Sequence, residues 1–169
     1  MAIVEALAPG SDGRRRLGLR SPLGETPIGE ITVATADDVA DAIRRARVAQ
    51  KAWAARTVED RAAIVNRAVD AILAHQEDII ATLRAETGKT RIECIVMEIL
   101  PACDFVNYWS ARAPKDLADH KRKIHGYLRP LKRLEIAYRP LGVVGVITPW
   151  NGPFSLATNP TAQALLAGN

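Results

Sequence analysis

The chain has 169 residues, 48% hydrophobic and 25% charged, which is enough apolar material for one ordinary domain and too much for a disordered segment. The net charge of +4 suits a cytosolic protein and a polyanion binder alike, so charge alone decides nothing. No apolar run approaches the roughly 18 residues of a membrane span, and Met1-Ala2-Ile3-Val4-Glu5 lacks the basic opening and long apolar core of a secretion signal.

Residues 1–14 are small, polar and glycine-containing, the composition of a flexible, frayed N-terminus. Arg15 to Ala34 reads as two short strands about a turn rich in Pro and Gly. Thr35-Ala36-Asp37-Asp38 sets a capping threonine before an acidic third helical residue, close to a capping box. The helix it starts is expected to run to about Ala54, with Val39, Ile43, Ala46 and Ala49 on one face. Thr57-Val58-Glu59-Asp60 repeats the signal for a second helix to about Ala74, striped by Ile64, Ala68, Ala71 and Ile72. A third helix spans about Gln76 to Thr87 and stops at Gly88, a good residue just past a helix end. The fourth carries Ile92, Ile95, Ile99, Cys103 and Val106 at steps of three and four, and Pro101 inside it predicts a kink.

Cys94 and Cys103 share that fourth helix, on the order of 13 Å apart along its axis at about 1.5 Å per residue, which is too far for a disulfide. No CxxC or matching histidine makes them metal ligands, so both read as reduced core residues suited to a reducing cytoplasm. His75, His120 and His125 lie apart and read as surface residues. Glu86, Glu93 and Glu98 read as helix-surface or helix-packing residues, and Lys89 as a basic residue after a helix stop, without chemistry.

From Ala118 to Arg139 the character changes. His120-Lys121-Arg122-Lys123 opens a basic stretch, and Gly126 to Tyr138 reads as extended chain with Leu131, Leu134, Ile136 and Tyr138 in a partly alternating series. The cations Lys121, Arg122, Lys123, Arg129, Lys132 and Arg133 could meet nucleic acid, but interleaved aromatics are nearly absent and no nucleic-acid module is visible. A solvated interface edge is the preferred reading.

Pro140 to Asn169 is the most informative stretch. Val143, Val144, Val146 and Ile147 have the composition of a strand buried on both faces. The run breaks at Thr148-Pro149-Trp150-Asn151-Gly152-Pro153, and Pro153 suits the first position of a helix carrying Phe154, Leu156, Ala157, Ala164, Leu165 and Leu166. This is the strand–loop–helix opening of a nucleotide-binding α/β unit, whose functional loop lies at the strand's C-terminal end. Taken alone, Asn151 reads as a turn asparagine bonding its own backbone, and Trp150 as a cover for a strand end.

Together, PLGVVGVITPWN with its following helix ending in AGN, Glu86-Thr87-Gly88-Lys89, the Ser21 to Ile31 segment and Asp104-Phe105-Val106-Asn107-Tyr108-Trp109 resemble the aldehyde dehydrogenase superfamily. Their order and spacing agree over nearly the whole chain, which corresponds to the N-terminal third of such an enzyme. The resemblance implies an α/β fold, helix-rich, in four parts. These are a flexible 1–14, an N-terminal hairpin and helical cluster over 15–117, a basic oligomerisation-type hairpin over 118–139, and over 140–169 the truncated start of a Rossmann-like NAD(P)-binding domain.

By the same resemblance, the activity is NAD(P)-dependent oxidation of an aldehyde to a carboxylic acid, in a cytoplasmic homo-oligomer with no metal. Asn151 would stabilise the oxyanion formed when a catalytic thiolate attacks the aldehyde. Ile147, Thr148, Pro149 and Trp150 would approach the ribose and nicotinamide of NAD or NADP. Gly152 stands where relatives often carry Phe or Tyr lining the aldehyde tunnel, which implies room for a bulky or aromatic aldehyde. Pro160 stands where many carry a lysine near a proton relay, and proline cannot relay a proton. Neither Cys94 nor Cys103 sits where the nucleophile belongs, and the general base and phosphate turn are expected beyond Asn169, so this chain alone is expected to be inactive. Two other classes stay open: a non-catalytic module pairing with a full-length subunit, and a basic helical binder of nucleic acid or acidic membrane.

Overall fold

A computed structural model describes residues 2–24, 26–127 and 129–169. The expected hairpin segment from Ser21 to Ile31 includes Glu25, and the extended reading of Gly126 to Tyr138 includes Leu128; both of these residues lie outside the described ones, as does Met1.

The N-terminus departs from expectation. Ile3–Leu7 (β1) pairs antiparallel with Arg16–Arg20 (β2), which pairs in turn with Pro27–Thr32 (β3), so residues 1–14 are not simply a frayed tail. Strand pairing gives the backbone of β1 its partners, and β1 is itself mostly apolar, with Glu5 its one charged residue. Gly18 makes the close approach possible: a Cβ there would come within 3.2 Å of Glu5 and 3.3 Å of Leu7. Glu5 reaches diagonally to Arg20 at 3.0 Å, and Arg16 pairs with Glu30 on the other side.

Ala36–Ala54 (α1) begins as expected, with Thr35 Oγ1 accepting from Asp38 N at 3.2 Å and Asp38 accepting from Thr35 N at 2.8 Å. That backbone bond, with the Thr35 hydroxyl, holds the Asp38 carboxyl below its ordinary pKa. No residue of α1 is fully buried, and Val39 and Ile43 on its apolar face are exposed. The second predicted helix is broken at Arg67 into Val58–Asn66 (α2) and Ala68–Ala74 (α3). Gln76–Thr87 (α4) ends on Gly88 at φ 77°, the left-handed geometry that glycine adopts freely.

The fourth predicted helix is three segments: Arg91–Cys94 (α5), a wider π-type turn at Ile95–Ile99, and Leu100–Asp116 (α6). The wide turn stands where a simple kink was expected. Pro101 has no N–H to return, and its ring would crowd the carbonyl four residues back. The Leu100 N–H reaches back five residues to Ile95 O, loosening the ladder directly before the proline. One core cluster joins Ile72, Ile80, Leu83, Cys94, Ile99, Ala102 and Cys103, and a second joins Ala62, Val65, Val106, Ala113, Ala162 and Leu166. The helix α6 contributes to both.

The basic stretch 118–139 contains a short hairpin. His120–Arg122 (β4), inside the basic run, pairs antiparallel with Leu134–Ile136 (β5). Much of the stretch read as extended instead turns: Gly126 adopts φ 84° and its carbonyl accepts from Arg129 N at 3.2 Å.

The expected buried strand at Val143–Ile147 is also corrected. Among the described residues it joins no ladder, Ile147 is 100% exposed, and Val144 and Val146 are exposed too. A strand buried on both faces requires a neighbour on each edge and a layer on each side, and apolar composition supplies neither. Ser155–Leu166 (α7) follows, starting two residues after Pro153, which sits in the turn before it. Of the leucines expected on an exposed face, Leu156 and Leu165 are exposed, whereas Leu166 is buried among α2 and α6 residues.

Candidate functional site

The bend from Thr148 to Phe154 is fixed from behind by a charge that the sequence hides. Glu98 lies in the π-type turn and is 0% exposed. Its Oε2 accepts from Phe154 N at 3.1 Å and from Ser155 N at 2.9 Å, two of the unsatisfied donors that open α7. A carboxylate at that end also meets the positive pole of the helix. Its Oε1 pairs with Lys89 Nζ, and the same ammonium donates to Asn151 O at 2.6 Å. Gly88 makes this reach possible, since the left-handed turn ends α4 just before Lys89. The Glu98 carboxylate therefore grips the helix start while Lys89 holds the crest of the bend.

The predicted residues fall around this clamp. Trp150 and Asn151 form the turn and are exposed, as are Ile147 and Pro149; Thr148 is half-buried. None of these five residues is charged and none is buried. Gly152 is buried, and a Cβ there would meet Leu156 Cδ1 at 3.0 Å, so a larger residue would have to push that side chain aside. An open apolar groove of about 520 Å³ includes Trp53, Val106, Pro153, Phe154 and Leu165 in its lining, but not Asn151. Pro160 lies inside α7. Near it, Asn159 Oδ1 accepts from Trp109 Nε1 and Gln163 Nε2, both at 2.8 Å, tying the helix to α6.

The far end of α7 is equally tied. Trp53 Nε1 donates to Leu165 O at 2.8 Å, Arg61 Nε to Leu166 O at 3.0 Å, and Gln50 Nε2 to Gly168 O at 2.9 Å. Asn169 Oδ1 accepts from Gly142 N at 2.9 Å, linking the AGN end back to the start of the exposed valine run. Arg61 is itself buried and also donates to Arg56 O at 2.6 Å, so it joins the ends of α1 and α7. Burial pulls its guanidinium pKa down from the ordinary value.

Lys89 and Glu98 were not legible as site residues, although one signal was present. Cys94, Glu98 and Ala102 recur at steps of four, and the outer two are fully buried. A glutamate on such a stripe needs a buried partner.

Among the described residues, no group of three or more His, Cys, Asp or Glu could hold a metal ion, and no helix is long and apolar enough to cross a membrane. Cys94 and Cys103 are core residues, and burial raises the pKa of both thiols. Neither is a thiolate nucleophile. Both should react with a disulfide reagent at pH 8 far more slowly in the folded chain than in denaturant; equal rates would contradict the packing.

The aldehyde dehydrogenase family model matches residues 9–169. A putative succinate-semialdehyde dehydrogenase [NADP(+)] of Mycolicibacterium smegmatis is 40% identical over 139 residues, covering 82% of this chain and 26% of that relative. An aldehyde dehydrogenase structure from Brucella melitensis biovar abortus superposes with TM-score 0.84 at 27% identity, over 99% of this chain and 34% of that one. A NAD-dependent benzaldehyde dehydrogenase structure from Corynebacterium glutamicum gives TM-score 0.82 at 31% identity, over 96% and 34%. The chain thus spans about a quarter to a third of the length of these three proteins.

Proposed function

The chain belongs to the aldehyde dehydrogenase family, and from that premise we propose that it supplies the oxyanion-stabilising and nicotinamide-facing part of an NAD(P)-dependent oxidation of an aldehyde to a carboxylic acid. The observation that carries the reading is the clamped bend. Its backbone is held at Asn151 O and at the Phe154 and Ser155 amides, while Asn151 stays open to whatever docks there. A side-chain amide carried on a backbone held in this way would donate to negative charge that develops on a carbonyl oxygen.

A nicotinamide nucleotide supplies the hydride acceptor when bound. The accessible face of Ile147, Thr148, Pro149 and Trp150 fits its ribose and nicotinamide by shape and backbone contact, since none of these side chains is charged. Trp150, 64% exposed, would shed water as it is covered. Gly152 brings no side chain of its own to the bend, and a bulky or aromatic aldehyde would be taken there as Leu156, which lies against it, gives way. Residues 140–169 then open the cofactor domain, 15–117 form its helical support, and the β4–β5 hairpin is the edge through which a cytoplasmic oligomer would pair.

The test is a chimera in which residues 9–169 replace the corresponding N-terminal segment of the Mycolicibacterium smegmatis relative. Aldehyde-dependent NAD(P)H formation, with benzaldehyde accepted at least as well as acetaldehyde, is the expected result. A folded chimera that binds NADP yet turns over no aldehyde would overturn the functional reading, and turnover of short aliphatic aldehydes alone would overturn the role of Gly152. The 169-residue chain by itself should give no turnover.

A further inference from the structure

We infer that Lys89 and Glu98 are positioning residues for Asn151, setting the direction of its amide through the backbone they grip. This rests on the oxyanion role proposed for Asn151. Four observations converge on it. Glu98 is fully buried, and both its oxygens are used, one on Lys89 and one on two consecutive amides of the α7 start. Lys89, 14% exposed at its side chain, bridges that carboxylate to Asn151 O. Between the two anchor points lie only Gly152 and Pro153, and the proline ring restricts its own φ. The remaining freedom of the bend is therefore mainly at Asn151 and Gly152, where the lysine bond acts. Finally, Glu98 stands in the π-type turn, a local widening of a kind that recurs at functional sites.

A pair that merely fastened α4 to α7 would not need to touch Asn151 at all. The ammonium instead takes the carbonyl of the very residue whose side chain is left open, so loss of Lys89 should loosen the bend more than the core. The two carbonyl-side anchors of α7 at Leu165 and Leu166 are made by Trp53 and Arg61 and remain in place when Lys89 is changed.

The experiment compares amide hydrogen exchange in the full 169-residue chain for wild type, Lys89→Met and Lys89→Arg, with the same variants assayed in the chimera. Lys89→Met should speed exchange of the Phe154, Ser155 and Leu156 amides by at least ~10-fold beyond the acceleration of core amides at Val65 and Val106, which report the global loss of stability. Lys89→Arg should restore most of that protection. In the chimera, Lys89→Met should lower kcat and leave KM for NADP unchanged. Uniform acceleration across bend and core, or an unaltered bend, would overturn the proposal. Should Lys89→Met fail to fold, Lys89→Gln keeps a donor without charge and is scored by the same comparison. The exchange result stands or falls without turnover, so its failure is separable from failure of the aldehyde reading.

Discussion

Lys89→Ala is expected to destabilise the chain by about 3–5 kcal/mol, the range for breaking a buried ion pair by removing one partner. The cost arises less from the attraction lost than from what stays behind: a Glu98 carboxylate at 0% exposure with its cation gone. Two backbone amides still bond it, which places the expected value toward the lower end of that range. For a domain of this size the corresponding fall in Tm is roughly 6–20 °C.

The double variant Lys89→Met, Glu98→Leu separates this account from a simple count of contacts. Replacing both charges removes the stranded carboxylate, but it also orphans the Phe154 and Ser155 N–H groups, each costing about 1–3 kcal/mol when buried without a partner. The double variant should therefore lose about 2–6 kcal/mol for its two orphaned amides, comparable with Lys89→Ala rather than the sum of two single losses. Urea denaturation measures all three. A loss under about 1 kcal/mol for Lys89→Ala would place the pair in the class of solvated surface bridges, against its burial.

Local signals were read correctly where one residue decides the geometry. Gly88 ends α4 because its left-handed φ suits a residue just past a helix, and Thr35 starts α1 because its hydroxyl and Asp38 satisfy each other's backbone. The failures share a different physics, since each depends on a partner distant in sequence. Val143 to Ile147 had the composition of a core strand, but a strand needs lateral neighbours that composition does not contain. Residues 1–14 read as small and polar, yet Ile3 to Leu7 within them is mostly apolar and β2 orders it. Glu98 reads as a helix-surface or helix-packing residue without chemistry, whereas its partners are an ammonium nine residues back and amides more than fifty residues ahead. For the same reason, a turn at Trp150 and Asn151 was legible in the residues, and the clamp that holds it was not.

Asn151→Ala, made in the chimera, is expected to lower kcat by about 10²–10³, equivalent to about 2.7–4 kcal/mol of transition-state stabilisation, as for removal of a single oxyanion donor elsewhere. Stability should move by less than about 0.5 kcal/mol, because Asn151 is exposed and the fold holds it by its carbonyl, which alanine retains. KM for NADP should hold steady, since the proposed cofactor face is Ile147 to Trp150 and does not include the amide. Asn151→Asp sharpens the argument. Its carboxylate offers no donor and sets a negative charge beside the developing one, so it should fall below the alanine variant despite its closer shape. Steady-state kinetics with a saturating aldehyde distinguish these effects on kcat from effects on binding. If the alanine variant kept kcat within about threefold, a change worth under 1 kcal/mol on the scale of tenfold per 1.36 kcal/mol, Asn151 would be a turn residue and no more. The clamp on its carbonyl would then serve α7 alone.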